Sequence, residues 1–181
     1  MKTELRSFLL MASALLLACT AVGCGASTID EELRIKRELT QELWQSLMDY
    51  NFELAGVEAI RNESIAQVSD ALKSGTISTL KYRKRIYQIH LIEANTIRYI
   101  DNKPQYALLH SFMWEEGEPP KLAWSIPELE KDSERREEEF QDYLQAYIIR
   151  HYDIVEEFFE FLKRQAEELN IDLDYMPEWL E

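Results

Sequence analysis

The chain is poor in cysteine: among its 181 residues only Cys19 and Cys24 carry a thiol. Both fall in the first two dozen residues. The rest of the chain therefore can form no internal disulfide and offers no thiol nucleophile. Glycine and proline are almost as scarce, with five of each. The prolines stand between Pro104 and Pro127 and at Pro177, which leaves two long stretches without a helix breaker. Basic charge is short as well: 20 Lys and Arg face 34 Asp and Glu, a formal net of −14. Such a field repels nucleic acid and anionic headgroups, attracts basic partners and favours solubility. A role in binding DNA or RNA is excluded on that ground. Catalytic motifs are missing too. There is no Gly-x-Ser-x-Gly, no His-Glu-x-x-His and no Gly-rich phosphate loop. Carboxylates are numerous enough that pairs arise by chance, so pairing alone names no active site. The composition points away from an enzyme, and no cofactor is expected.

One apolar run is present, at the N-terminus. Lys2 and Arg6 precede it, Ser7 to Ala18 is almost wholly apolar, and Ala21-Val22-Gly23-Cys24-Gly25-Ala26-Ser27 is built of small residues. A positive start, an apolar middle and a small-residue end make an export signal. The run falls short of the roughly 20 apolar residues a membrane span needs. Extended through Val22 it comes close, so a retained anchor is the competing reading. The small residues after Leu17 and the lack of a basic or aromatic far flank favour cleavage.

The ending Ala21-Val22-Gly23-Cys24 resembles the lipobox of bacterial lipoproteins. That resemblance implies a cut before Cys24 (residues 1–23 being the signal peptide), acylation of the Cys24 thiol and a membrane-held protein of the cell envelope. Gly25 is not the aspartate that retains such proteins in the inner membrane. The resemblance therefore implies the outer membrane, facing the periplasm, in a host with two membranes. Ala21 departs from the usual leucine. Leu16-Leu17-Ala18-Cys19 is an alternative site, and a plain secretory cut after Ala26 is a third. With Cys24 as anchor, residues 24–27 form a tether reaching only ~10 Å when extended. About 160 residues remain, the usual size of one domain.

That mature part, 28–181, reads as a single acidic helical domain. Thr28-Ile29-Asp30-Glu31 fits a capping box. Ile29, Leu33, Leu39, Leu43, Leu47 and Leu54 then recur mostly at fours, an amphipathic helix that Asn51 to Gly56 interrupts; Val57, Ile60, Ile65, Val68 and Leu72 continue the stripe, and Gly75 ends it. A second helix starts near Ser78, carries Ile86, Ile89, Glu93, Ile97 and Ile100 on one face, and stops at Asp101-Asn102-Lys103-Pro104. Residues 105–114 are short and apolar and read as helix, with a strand as the alternative. A loop covers 115–127. The longest helix runs from about Asp132 to Leu169, with Phe140, Leu144, Ile148, His151, Val155, Phe158 and Leu162 as its stripe. Residues 172–181 form a tail. No 34-residue or other repeat recurs. The fold class is all-α, an antiparallel bundle of about four helices.

Three constellations stand out. His90, His110 and His151 fall on or beside apolar faces. His90-x-x-Glu93 shares one helix face, and with His151 it makes a candidate metal or ligand site inside the bundle. Di-iron bundles use the order Glu-x-x-His twice, with two further carboxylates, so histidines satisfied by core neighbours explain the same pattern. Lys81, Arg83, Lys84 and Arg85 form the one basic cluster, suited to phosphates or to pairing with Glu167 and Glu168 of the long helix. From Tyr147 to Leu162 apolar residues spread nearly round the helix, which makes it either central or in contact with a partner. Trp114, Trp124 and Trp179 sit in or near irregular segments. Trp124, Tyr152, Phe159 and Trp179 are the candidate contact residues. Together these readings describe a lipid-anchored accessory or interaction protein, of assembly-factor or immunity type, with a basic protein as partner. The alternative is a ligand- or metal-binding bundle using His90, Glu93 and His151.

Overall fold

The computed structural model describes residues 27–114, 117–119 and 126–173. Side chains are described within that range except for 27–28 and 126–140. Cys19, Cys24, Trp124 and Trp179 lie outside the described residues, as do the signal and most of the loop and tail. The described part is an all-α bundle of four helices, with no strand among the described residues. They are α1 (Ser27–Lys73), α2 (Thr79–Asp101), α3 (Ala107–Met113) and α4 (Ile126–Leu169), with a 3-10 turn at Pro104–Tyr106 before α3.

The local chemistry explains most boundaries. At the end of α1, Gly75 has φ +73°, and its N–H and that of Thr76 return to Leu72 and Ala71 carbonyls at 3.0 and 2.9 Å. This is the glycine-closed helix end expected from the sequence. Asn170 closes α4 in the same way, with φ 50°. Ser78 caps α2, its Oγ accepting from Lys81 N–H at 3.3 Å. Pro104 then opens the 3-10 turn, where a missing N–H costs nothing.

Two expectations change, on the course of the first helix and the start of the last. Asn51 to Gly56 does not interrupt α1, which runs unbroken for 47 residues. Asn51 and Leu54 are buried on its inner face, and that packing outweighs one mid-helix glycine. Residues 107–113 are helix, as expected from the sequence. The long helix begins at Ile126, six residues earlier than periodicity suggested, because Pro127 suits a first turn as well as a loop.

The contacts of the described residues divide into two compact units: 27–45 with 159–173, and the described residues between Ser46 and Phe158. In the first, α1 and α4 run antiparallel. Trp44 packs on Phe159 with ring centroids 4.9 Å apart, and Arg37 donates to the Leu169 carbonyl at 3.1 Å. A cleft of about 190 Å³ is lined by Trp44, Lys163, Ala166, Glu167, Ile171 and Leu173.

In the second unit α1 and α2 form an antiparallel hairpin. Val68 packs with Ile77 and Ile86 near the turn, with Ile65, Leu72, Tyr82 and Ile89 around them. Farther along, Arg61 reaches Glu93 and Tyr50 reaches Asp101, so falling numbers on α1 meet rising numbers on α2. Leu144, Ile148, His151, Val155 and Phe158 of α4 are buried, as their stripe predicts.

Candidate functional site

The chemistry-bearing side chains of the second unit gather in its interior, in two clusters. The first is centred on Asp101. This acid ends α2 one helical turn after buried Ile97, so the same apolar face that buries Ile97 carries the carboxyl inward. A buried carboxyl needs partners. Tyr50 of α1 donates to Asp101 Oδ1 at 2.5 Å. His151 of α4 meets Oδ2 through Nε2 at 2.7 Å, a pairing that places a proton on Nε2. His110 of α3 lies farther off, its Nε2 4.0 Å from Oδ1. The aromatic walls are close: Trp114 and Tyr147 stand 4.7 and 5.0 Å from the His151 ring. Tyr50 meets Tyr106 and His110 edge-on.

This setting moves proton affinities. Burial first, then Asp101, pushes the Tyr50 hydroxyl far above the ordinary phenol range. The same causes raise Tyr147. Burial lowers His110, with Asp101 opposing and His151 adding to the fall. His151 Nδ1, His110 Nε2, Tyr147 OH and Trp114 Nε1 have no hydrogen-bond partner among the described residues. At the cluster's edge Tyr106 donates to Glu53 Oε1 at 2.7 Å, and Lys103 holds the other Glu53 oxygen. Burial and Glu53 push Tyr106 up to about 12. At Glu53 burial opposes the shift, but the Lys103 and Tyr106 bonds prevail and lower its carboxyl.

The second cluster is centred on Glu93. Arg61 Nη1 donates to Glu93 Oε1 at 3.0 Å, and its Nη2 reaches Glu58 at 2.6 Å. His90 Nδ1 lies 3.3 Å from Glu93 Oε2. Burial, with Glu93 and Glu58 close by, raises the Tyr152 hydroxyl, and that hydroxyl has no partner among the described residues.

His90 and Glu93 thus meet, as their spacing requires. His151 does not join them in a metal site, because its Nε2 is turned onto Asp101. Among the described residues no group of three His, Cys, Asp or Glu side chains could hold a metal ion. Glu93 also shares its pocket with the Arg61 cation, which repels a second positive charge. The alternative His90–Glu93–His151 set is therefore not brought together: its members fall in two separate hydrogen-bonded clusters.

Comparison with protein-family models, curated proteins and solved structures finds no match.

The two described contact candidates are not free surface. Phe159 is buried against Trp44, and Tyr152 is half-buried with its hydroxyl inside. Near-complete apolarity of α4 between Tyr147 and Leu162 reflects mostly interior packing, and Ile149 is its exposed exception at 58%. Trp114 is buried on His151. Lys81, Arg83, Lys84 and Arg85 are exposed on the first two turns of α2. No helix among the described residues is long and apolar enough to cross a membrane.

Periodicity alone missed Tyr50, Arg61 and Asp101. A usable signal existed for two of them. Tyr50 continues the Leu43–Leu47–Leu54 stripe, and Asp101 stands four residues after Ile97, an acid at an apolar register. Arg61 had none, since its value depends on an acid 32 residues away.

Chemically, Asp101 binds α1 to α2 and α4 at once. Its side chain is 1% exposed and that of His151 is not exposed at all, so no substrate touches the pair in this conformation. The arrangement orients helices.

Proposed function

We infer that the protein is a lipid-anchored accessory factor of a bacterial envelope, whose helical bundle docks a basic protein partner. The observation that carries this reading is the placement of polar and apolar groups. The buried acids Asp101 and Glu93 are engaged in joining helices, through Tyr50, His151 and Arg61, whereas large apolar side chains remain outside. Phe52, Ile60, Ile92 and Tyr99 are each more than 60% exposed, and Phe52 with Ile60, and Ile92 with Tyr99, lie within one stretch of one helix. Apolar side chains so grouped mark an interaction surface, whereas singly scattered ones do not. The net charge of −14 adds selectivity for basic partners. The anchor at Cys24 supplies the address.

The test has two parts. Mass spectrometry of the mature N-terminus is expected to find an acylated Cys24; an unmodified N-terminus removes the anchor. Affinity purification of the tagged protein from the native host's envelope is expected to return one stoichiometric partner with a basic surface. Repeated recovery of the protein alone removes the docking role.

A further inference from the structure

The outward face of α1 between Asp49 and Glu63 has features its own bundle does not explain. Phe52, Gly56, Ala59 and Glu63 follow one another at four, three and four residues, so they line one side of the helix, with Ile60 at its edge. Phe52 is 75% exposed and Ile60 67%, and Gly56 and Ala59 are exposed as well. Gly56 lies deep within a helix of 47 residues. It has no positive φ, and no atom would lie within 4 Å of a Cβ added there. Neither a turn nor internal packing requires glycine, which weakens a helix at such a place. What a glycine between two large apolar side chains does allow is close approach of another backbone.

The charges choose the occupant. Asp49 and Glu63 bracket the apolar island; both are exposed, and Glu63 accepts from neighbouring Gln67 at 3.1 Å. The one basic residue in this stretch, Arg61, is turned inward to Glu58 and Glu93. The face is apolar in its middle and acidic at both ends. A second copy paired antiparallel about Gly56 would set Asp49 against Glu63, and a parallel copy would set each acid against itself. Both arrangements join like charges.

We propose that this face of α1 docks an amphipathic helix of another protein, with apolar side chains in its middle and Lys or Arg at both ends. The proposal rests on the docking role inferred above and names its surface and partner chemistry. Leu or Met side chains of the incoming helix straddle Gly56 and cover Phe52 and Ile60, while its terminal cations meet Asp49 and Glu63.

The test uses the purified mature protein and two synthetic helical peptides. One carries Leu on a single face with Lys at both ends; the other is identical except that Glu replaces every Lys. Binding is read by calorimetry at low and high salt. Two variants leave the charge unchanged, Phe52→Ser and Gly56→Leu, and both sites are exposed, so far-UV circular dichroism is expected to stay the same. The Lys peptide is expected to bind, more weakly at high salt, with about tenfold loss in each variant, a difference near 1.4 kcal/mol. The Glu peptide is expected to bind at least about tenfold more weakly. Absence of Lys-peptide binding, equal binding of the two peptides, or binding unchanged by Gly56→Leu overturns the proposal. So does sedimentation showing a dimer that Phe52→Ser dissolves. Envelope purification separates this from the parent reading: a partner retained by both variants leaves the docking role standing and moves it off this face.

Discussion

Gly56 and Gly75 belong to the same helix-forming stretch and act in opposite ways. Gly75 needs its positive φ, so an alanine there forces an L side chain into a left-handed conformation. Gly75→Ala is expected to cost about 1–2 kcal/mol. Gly56→Ala meets nothing and removes backbone freedom from the unfolded chain, so a gain of about 0.5–1 kcal/mol is expected. Urea denaturation of the two variants checks both signs, and a destabilising Gly56→Ala would mean that the helix needs glycine there. Asp101 is the residue on which most depends. Asp101→Ala strands the Tyr50 hydroxyl and His151 Nε2 inside the bundle. Breaking such a buried set is expected to cost about 3–5 kcal/mol. By contrast Lys73→Ala, whose pair with Asp70 is exposed at both ends, is expected to stay within about 0.5 kcal/mol. His110 adds a pH dependence. Its folded pKa lies below the ordinary histidine value because burial disfavours the cation. The unfolded chain then binds more protons over that interval, so stability is full above the ordinary value and falls as pH drops through it. The urea midpoint is expected to fall between pH 7.5 and pH 5.5, and to fall less in His110→Phe. Comparing the two proteins removes the general relief of acidic self-repulsion, which His110→Phe leaves in place.

At the scale of elements, caps and packing divide the labour. The α1–α2 turn carries its own instructions: the Gly75 closure, the Ser78 cap and the Val68–Ile77–Ile86 cluster all lie within 19 residues. Ser78→Ala is expected to cost about 1 kcal/mol, readable as a lower thermal midpoint. These features were legible because each is local: a glycine after an apolar stripe, a serine before one, a proline in place of a helix interior. The unbroken course of α1 was not. Asn51 to Gly56 has the composition of a break, and burial of Asn51 and Leu54 overrides it. Residues 107–113 read as helix with a strand as the alternative, because seven residues, five of them apolar, carry little periodicity. Burial of Leu109, His110 and Met113 on one side settles them as helix.

For the molecule as a whole, charge and anchorage set the expected behaviour. If Cys24 carries the lipid, Cys24→Ser is expected to move the protein from the membrane fraction to the soluble fraction of the envelope, read by fractionation and immunoblot. A membrane-bound Cys24→Ser protein would instead implicate Cys19 or a retained signal. The acidic net charge was plain from composition, yet its use depends on place. Around Gly56 acids bracket an apolar island, and around Glu93 they are consumed by Arg61 and His90.

The sequence by itself determined the helical class, the scarcity of breakers, the acidic surface and the resemblance of its first residues to an export and lipidation signal. Those properties follow from residue type and short-range spacing, which a helix repeats every turn. Only the tertiary structure decided which polar residues are partners. Tyr50, Asp101 and His151 are about 50 residues apart in each step, and Arg61 finds Glu93 across 32. No local pattern encodes such pairings, because they arise when apolar faces are buried and carry whatever stands beside them inward. The same burial left Phe52 and Ile60 outside. An apolar residue on the wrong side of a helix is recognisable only once the right side is known.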